Sequence, residues 1–430
     1  MNESTTPLIK QFTGCATLAI IGIKLKELKV FQLKSIGNWL LVYFPLLYFL
    51  RLIQHFCSEK PSYPIEYEIV LTTTRVIFTR SKRTAPQICM KLWQRSDDRI
   101  CSNELVIKRE DCLLEGLAFN RQFAPDVYLG VARVNISEDT KTIRWGRLIT
   151  KPKQNTFKPH AQYALIMKCL NENWRLDQQL QQARLGRKAN INFLAEKIAQ
   201  MHMRLEKSPD NQGTPDRISS KLNLNSDLFL EALPLLSNGQ NNIEKYGWIT
   251  KHMDVICKGL SELFTQRYRE GHIKRCHGDL KATNLWVYPA KTLFFGLKKY
   301  PQQLLALDCI DFNPEFCHID TLSDVAMLAV DIEMHSTNWT VAHKNIKYGQ
   351  SFANYFLDCY LREMKEYSMD VWPLLRYYMT EKAMVCAYVS ILYDKQPELG
   401  ERYLDIAYVH AQQLGKPIES SANALALMVS

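Results

Sequence analysis

The chain of 430 residues has no glycine between Gly37 and Gly116. A glycine-rich loop lets backbone N–H groups approach an anion closely, because no Cβ stands in the way. That device is excluded from this stretch. Nowhere does G-x-x-x-x-G-K-[ST] occur, so a P-loop ATPase domain is absent as well. The 12 cysteines include no C-x-x-C pair. The cluster Cys276, His277, Cys309, Cys317 and His318 fits no standard zinc spacing. The cysteines therefore read as reduced, mostly buried thiols of a cytoplasmic protein. The apolar run Trp39 to Leu50 is broken by Pro45 and falls short of the roughly 20 residues that a bilayer requires. It reads as a packed helix. Together with the run Ala16 to Ile23, it leaves membrane association through residues 16–53 as the minority reading. Mostly polar residues precede Ala16, which is not the order of a signal peptide. There is no internal repeat and no low-complexity tail.

The net charge of +10 admits anionic partners, and nucleotide phosphates would suffice. The basic residues are scattered, as at Lys24, Lys26, Lys29, Lys34, Arg80, Lys82, Arg83, Lys298 and Lys299, without interleaved aromatics. They read as a solvated surface, and no nucleic acid is expected. A hydrophobic fraction of 47% supports a sizeable core, in one large domain or in two to three small ones.

Against these absences stands one stretch, Cys276-His277-Gly278-Asp279-Leu280-Lys281-Ala282-Thr283-Asn284-Leu285. A carboxylate is followed five residues later by an amide. A second stretch, Leu307-Asp308-Cys309-Ile310-Asp311-Phe312-Asn313, sets a carboxylate among apolar residues that read as the end of a buried strand. Phosphoryl transfer needs these parts. One carboxylate orients the attacking hydroxyl and accepts its proton, while an Asn and a second Asp hold magnesium ions. The kinase catalytic loop has the same Asp-to-Asn spacing.

Around these motifs the chain reads as strands and then helices. Glu66 to Leu71, Val76 to Arg80 and Gln87 to Trp93 read as three strands, and Asp111 to Phe123 as a helix. Tyr163 to Lys168 reads as a further strand, ending at a hinge. Leu180 to about Glu206 has helical apolar spacing, with His202 near its end as a packed or capping histidine. Residues 207–225, rich in Ser, Pro, Asn, Asp and Gly, read as a loop, and 227–271 as helices. A hairpin and the strand Leu304 to Ile310 follow Leu285 to Tyr288, and nearly everything after Leu322 reads as helix. Asp320 and Asp324 read as helix N-terminal carboxylates, and Asp331 and Glu333 as surface charges.

His277 to Asn284, with Ile310-Asp311-Phe312, resembles the aminoglycoside phosphotransferase branch of the protein-kinase-like fold. A bacterial group within it, whose members are often fused to a P-loop ATPase domain, is similar at Ala124 to Val131, at Cys276 to Leu280 and from Asp308 through Asp324 to Glu333. The resemblance covers about Tyr63 to Glu333 and implies an α+β, two-lobed fold. Residues 1–60 would be an N-terminal extension, 61–168 a small β-rich lobe and 169–430 a large helical lobe.

The resemblance further implies magnesium-dependent transfer of the γ-phosphoryl group of ATP to a hydroxyl of a small molecule. Asp279 would be the catalytic base, with His277 supporting its loop. Asn284 and Asp311 would bind Mg2+, and Asp308 would be a supporting or alternative carboxylate. Lys91 would contact the ATP phosphates with Glu115 as its ion-pair partner. Thr73 and Thr74 would stand where a glycine loop usually does, Asp324 would brace the catalytic loop, and Asp331 and Glu333 would have at most substrate-side or structural roles. No Ala-Pro-Glu activation segment is evident, which points away from a protein acceptor. Two rival readings are a pseudokinase or nucleotide-binding regulatory module, favoured by the missing glycines, and a membrane-associated interaction protein.

Overall fold

The computed structural model describes residues 65–71, 75–79, 88–92, 109–137, 142–151, 161–182, 188–237, 239–293, 298–311, 313–343, 347–366, 368 and 370–414. The chain divides into two units, residues 1–61 and 62–430, and all described residues belong to the second. Thr73, Thr74 and Phe312 lie outside the described residues, as do the apolar runs before residue 51.

The small lobe is one antiparallel sheet. Its strands are β1 (Ile65–Leu71), β2 (Arg75–Thr79), β3 (Ile88–Leu92), β4 (Tyr128–Ser137), β5 (Thr142–Trp145) and β6 (Gln162–Lys168), with α1 (Arg109–Phe123) between β3 and β4. The order β1-β2-β3-β6-β4-β5 closes on itself, because β1 also pairs with β5. Register sets Lys91 opposite Val76 on one side and Leu165 on the other. Alternation along β3 and β6 packs one face of each strand against α1, so Cys89, Leu165 and Met167 join Leu113, Leu114 and Leu117 in a single apolar cluster.

The large lobe begins with the short α2 (Leu176–Gln181), α3 (Lys188–Arg204), α4 (Pro215–Ala232), α5 (Gly239–Gly259) and α6 (Ser261–Glu270). Short strands follow: β7 (Ile273–Arg275), β8 (Leu285–Tyr288), β9 (Lys291–Leu293), β10 (Lys298–Tyr300) and β11 (Gln303–Ala306). Then come α7 (Pro314–Cys317), β12 (His318–Asp320) and four helices: α8 (Thr321–His343), α9 (Lys347–Met364), α10 (Val371–Leu392) and α11 (Pro397–Gln412). These β-strands pair in twos: β8 with β11, β9 with β10, and β7 with β12. The architecture is α+β, with a small β-rich lobe and a large helical one.

Two expectations fail here. Residues 215–225 are not loop, because α4 starts at Pro215 behind an extended Thr214. A proline at the first helical position is itself a start signal, since its missing N–H would be unsatisfied there anyway. The strand predicted over Leu304 to Ile310 ends at Ala306, because Asp308 turns the chain with φ 64°. Helix α8 is buried on every side from Thr321 to Met334. Such a helix can only be interior, and it forms the floor on which the candidate site is built. No helix among the described residues is long and apolar enough to cross a membrane.

Candidate active site

Strand β7 delivers the chain into the His277–Asn284 loop, and α8 holds that loop from beneath. Asp324, in the first turn of α8, accepts hydrogen bonds from the backbone N–H of His277 (3.1 Å) and of Gly278 (2.9 Å). The same carboxylate meets His202 Nε2 at 3.1 Å, and the other ring nitrogen of His202 meets the Tyr360 hydroxyl at 2.6 Å. Burial alone would raise the Asp324 pKa, but these donors outweigh it and hold the carboxyl below its usual range. Two turns further along α8, Asp331 accepts from the Ala282 N–H at 2.6 Å and from the Tyr403 hydroxyl. Residues seven apart share a helix face, so one side of α8 grips both ends of the loop. Asp331 and Glu333 were expected at the surface. Both are buried, Glu333 against His410 at 2.8 Å.

Within the loop, Gly278 has φ 81°, and a Cβ there would lie 2.7 Å from the Phe316 carbonyl oxygen. Only glycine fits without strain. The next residue, Asp279, keeps its carboxylate partly exposed. Asn284 Nδ2 donates to Asp279 Oδ2 and to the Asp279 carbonyl oxygen, both at 2.9 Å. Lys281 Nζ lies 3.1 Å from the other carboxylate oxygen. Burial pulls the Lys281 ammonium down, but Asp279 more than offsets it and keeps the group charged. With its amide nitrogen committed to Asp279, Asn284 has its side-chain oxygen available as a ligand.

The Leu307–Ile310 segment is laced to this loop. His277 Nε2 donates to the Leu307 carbonyl (3.0 Å), the Ile310 N–H donates to the His277 carbonyl (2.9 Å), and the Leu307 N–H donates to the Asn284 carbonyl (2.9 Å). Burial lowers the His277 pKa and favours the neutral ring. The small lobe grips the same segment. The Asp308 N–H donates to the Tyr128 hydroxyl (2.8 Å), and the Cys309 N–H donates to Asn120 Oδ1 (3.2 Å).

Lys91 of β3 forms an ion pair with Asp308, whose side chain is 51% exposed. Burial opposes the charge on Lys91, but Asp308 and then Asp311 overcome it and raise its pKa. The expected Lys91–Glu115 pair is not formed. Glu115 is exposed on α1, and its buried neighbour is Gly116. A Cβ on Gly116 would lie 2.5 Å from Asp311 Oδ2, so Asp311 rests directly against the helix backbone. Burial raises the Asp311 pKa, with Lys91 opposing. Of the two carboxylates weighed as magnesium ligands, Asp308 is thus the exposed one beside Lys91, and Asp311 the one set against α1. The left-handed turn at Asp308 presents that side chain outward to Lys91, while Asp311 is folded inward onto Gly116.

The residues offer two oxygen donors of the kind magnesium takes, the Asn284 amide oxygen and the Asp308 carboxylate. Beside them, Cys89, Met167 and Leu170 belong to one apolar cluster with Trp286 and Leu305 of the paired strands β8 and β11. His202, Cys276 and Asp324 have ligating atoms within 4.8 Å of one another. Asp324 is already committed to three donors, and the Cys276 thiol donates to the Ile319 carbonyl at 3.5 Å, so as they stand these side chains brace the loop. Lys281, Asn120 and Tyr128 were not foreseen. Of these only Lys281, inside the motif itself, carried a local signal.

No family model matches the chain. Three uncharacterized mycobacterial proteins, one from Mycobacterium bovis and two from Mycobacterium tuberculosis, are each 24% identical to it over 322 residues. The match covers 73% of this chain and 54% of theirs, so the chain spans about half the length of the curated relatives it matches. Among solved structures it is similar to an ethanolamine kinase of Plasmodium vivax, with 13% identity and TM-score 0.43, over 80% of this chain and 82% of that one. A choline kinase of Cryptosporidium parvum gives 12% identity and TM-score 0.43, over 85% and 92%. A Ralstonia eutropha protein taken for an aminoglycoside phosphotransferase gives 10% and 0.37, over 86% and 99%.

Two substitutions test the construction of the loop. Gly278→Ala should cost roughly 1–3 kcal/mol in urea unfolding, from left-handed strain and the contact with Phe316. Asp324→Asn should cost roughly 1.5–3 kcal/mol at pH 7, the range for hydrogen bonds to a charged group. Because the folded pKa of Asp324 is depressed, its contribution is complete above the unfolded value near ~4 and fades as pH falls through the folded one. The stability gap between wild type and Asp324→Asn should therefore narrow at acid pH. An equal gap at pH 7 and pH 3 would mean that the charge contributes nothing.

Proposed function

We propose that the chain is an ATP- and magnesium-dependent phosphotransferase acting on a hydroxyl of a small molecule. The observation that supports this most is the Lys91–Asp308 ion pair, carried on a segment hydrogen-bonded to the loop that holds Asp279 against Asn284. Few other chemistries need a lysine, two carboxylates and an amide in this arrangement. Asn284 and Asp308 would hold the magnesium, which when bound neutralises charge on the phosphates. Lys91 would hold the phosphates, and the apolar side chains around Met167, Leu170 and Trp286 would meet the base.

Asp279 would accept a hydrogen bond from the acceptor hydroxyl and take its proton as the oxygen–phosphorus bond forms and the bond to the leaving diphosphate breaks. The Asn284 amide fixes the orientation of that carboxylate. Lys281 keeps a positive charge beside it, which suits the negative charge of the phosphoryl group in flight. The alternative of a weak or inactive nucleotide-binding module rests on one observation, the absence of glycine between Gly37 and Gly116.

Magnesium-ATP should raise the melting temperature, since a ligand that binds only the folded state stabilises it by mass action, and Lys91→Ala should shrink that shift. No shift at millimolar nucleotide would end the ATP reading.

Slow ATP hydrolysis serves as an assay without a known acceptor. Asp279→Asn should lower it about 10²–10⁴-fold, the usual worth of general-base catalysis, with nucleotide affinity nearly intact. Asp308→Asn should weaken both binding and turnover and be partly rescued by excess magnesium, whereas Asp311→Asn should not be rescued. The opposite pattern would return the metal to Asp311. An Asp279→Asn protein that binds nucleotide and hydrolyses it at the wild-type rate would support the alternative.

A further inference from the structure

Two thiols meet beside the candidate site. Cys89 lies on β3, opposite Met167 of β6. Cys169 follows Lys168, the last residue of β6, and stands two positions beyond Met167. Side chains two apart along a strand share a face. The two cysteines are therefore diagonal neighbours, and both belong to the apolar cluster of the small lobe. They are in contact, with the Cys89 thiol donating a hydrogen bond to the Cys169 sulfur. Both are free cysteines.

The pair is asymmetric. Cys89 is buried, whereas Cys169, alone among the described cysteines, keeps part of its surface in solvent. The shared hydrogen bond lowers the Cys169 pKa, against burial and Glu172. It raises that of Cys89, which burial raises further. Cys276, Cys309 and Cys317 also lie near the site, but they are buried and burial raises their thiols, so they lack both access and thiolate character. An accessible sulfur inclined to ionise, beside a second thiol that can trap its oxidised form, is the arrangement of a redox-sensing pair.

We propose that Cys169 and Cys89 form a site of reversible oxidation by hydrogen peroxide that closes to a disulfide, with Cys169 as the attacking thiol and Cys89 as the resolving one. The Cys169 thiolate sulfur bonds to one peroxide oxygen as the O–O bond breaks, and the hydroxide that leaves takes up a proton to become water. Cys169 is then a sulfenic acid. The Cys89 sulfur attacks the Cys169 sulfur, the S–S bond forms and the S–O bond breaks. The second hydroxide leaves as water with the Cys89 proton. Two thiols have lost two electrons, and one peroxide has taken them up as two waters.

The bridge also bears on nucleotide binding, a consequence that rests on the function proposed above. Cys89 precedes Lys91 by two residues and shares its face of β3. Cys169 stands between Met167 and Leu170, two of the side chains proposed to meet the base. Bonded sulfurs are about 2.0 Å apart, closer than any hydrogen-bonded pair. Closure therefore draws β3 toward the stretch that leaves β6, across the place where the base would lie. Nucleotide affinity should fall at least tenfold on oxidation and return on reduction.

The test exposes the full chain, reduced and desalted, to hydrogen peroxide and then quenches it with an alkylating reagent. Peptide mapping by mass spectrometry should find Cys89 joined to Cys169, and dithiothreitol should separate them. In Cys89→Ser, Cys169 should stop at a sulfenic acid that dimedone captures. Peroxide should reduce the apparent magnesium-ATP affinity of the wild type, read from the melting temperature, at least tenfold. It should leave that of Cys169→Ser unchanged, and Cys169→Ala carries the comparison if the serine variant does not fold. Two separately alkylated thiols after peroxide, or a Cys169 sulfinic acid beside a free Cys89, would overturn the pair. A joined pair with an undiminished magnesium-ATP response would overturn the consequence. A reduced wild type without any such response would end the nucleotide reading and this consequence with it, while the joined peptide decides the pair by itself.

Discussion

The candidate site depends on a charge buried where no water reaches it. Asp324 sits in the first turn of a helix surrounded by apolar side chains, and a carboxylate there is costly unless its oxygens are filled by donors. The chain fills them with two backbone N–H groups of the His277–Asn284 loop and the ring of His202. The arrangement makes loop and helix mutually dependent. The carboxylate is tolerable only if the loop is in place, and the loop keeps its shape only because the carboxylate is there. Asp331 repeats the device two turns on, with Ala282 and Tyr403 as donors. Asp279 thereby gains a fixed position without being itself buried, as the base role proposed for it requires.

The second constraint is the reversal at Asp308. Two carboxylates three residues apart in a strand-like stretch would be expected on opposite faces, and a plain strand would leave the choice between them open. The left-handed conformation at Asp308 decides it, since the chain stops being a strand at that point. Tyr128 and Asn120 from the small lobe take up the N–H groups that the ladder no longer uses. Asp311 is then spent on packing against Gly116, and Asp308 is left facing a lysine. The strain of one residue is offset by hydrogen bonds from both lobes, so their relative position and the orientation of Asp308 are coupled.

How much of this could be read beforehand follows the range of the interactions. The Asp279–Asn284 contact spans five residues within one loop, and its spacing was a sufficient guide. The strands of the small lobe lie within a residue or so of where β-branched and apolar patterning put them. What failed were inferences needing knowledge of a distant partner. Glu115 was one residue away from the position that faces the cleft, and a helix rotation of about 100° per residue is enough to send a side chain to solvent. Asp331 and Glu333 were taken for surface charges because nothing local announces that Tyr403 and His410 will meet them. The start of α4 was hidden by a composition typical of loops, in which only Thr214-Pro215 carried the helix signal.

The missing glycine loop changes where the work of binding phosphate must be done. In a glycine cradle the backbone supplies many weak dipoles at close range, and no single side chain is decisive. Between Gly37 and Gly116 this chain has no glycine to supply such a cradle. Under the proposed reaction the burden shifts to full charges, Lys91 from the small lobe and Lys281 from the loop, each resting on a carboxylate. Such pairs are close to neutral as they stand. An anionic nucleotide would have to compete with Asp308 for Lys91, and a cation at Asp308 would remove that competition. Nucleotide and metal would then bind cooperatively, each relieving the charge that the other needs unpaired. The same pairing keeps both lysines charged despite burial, so the charge a nucleotide needs is held ready behind a carboxylate.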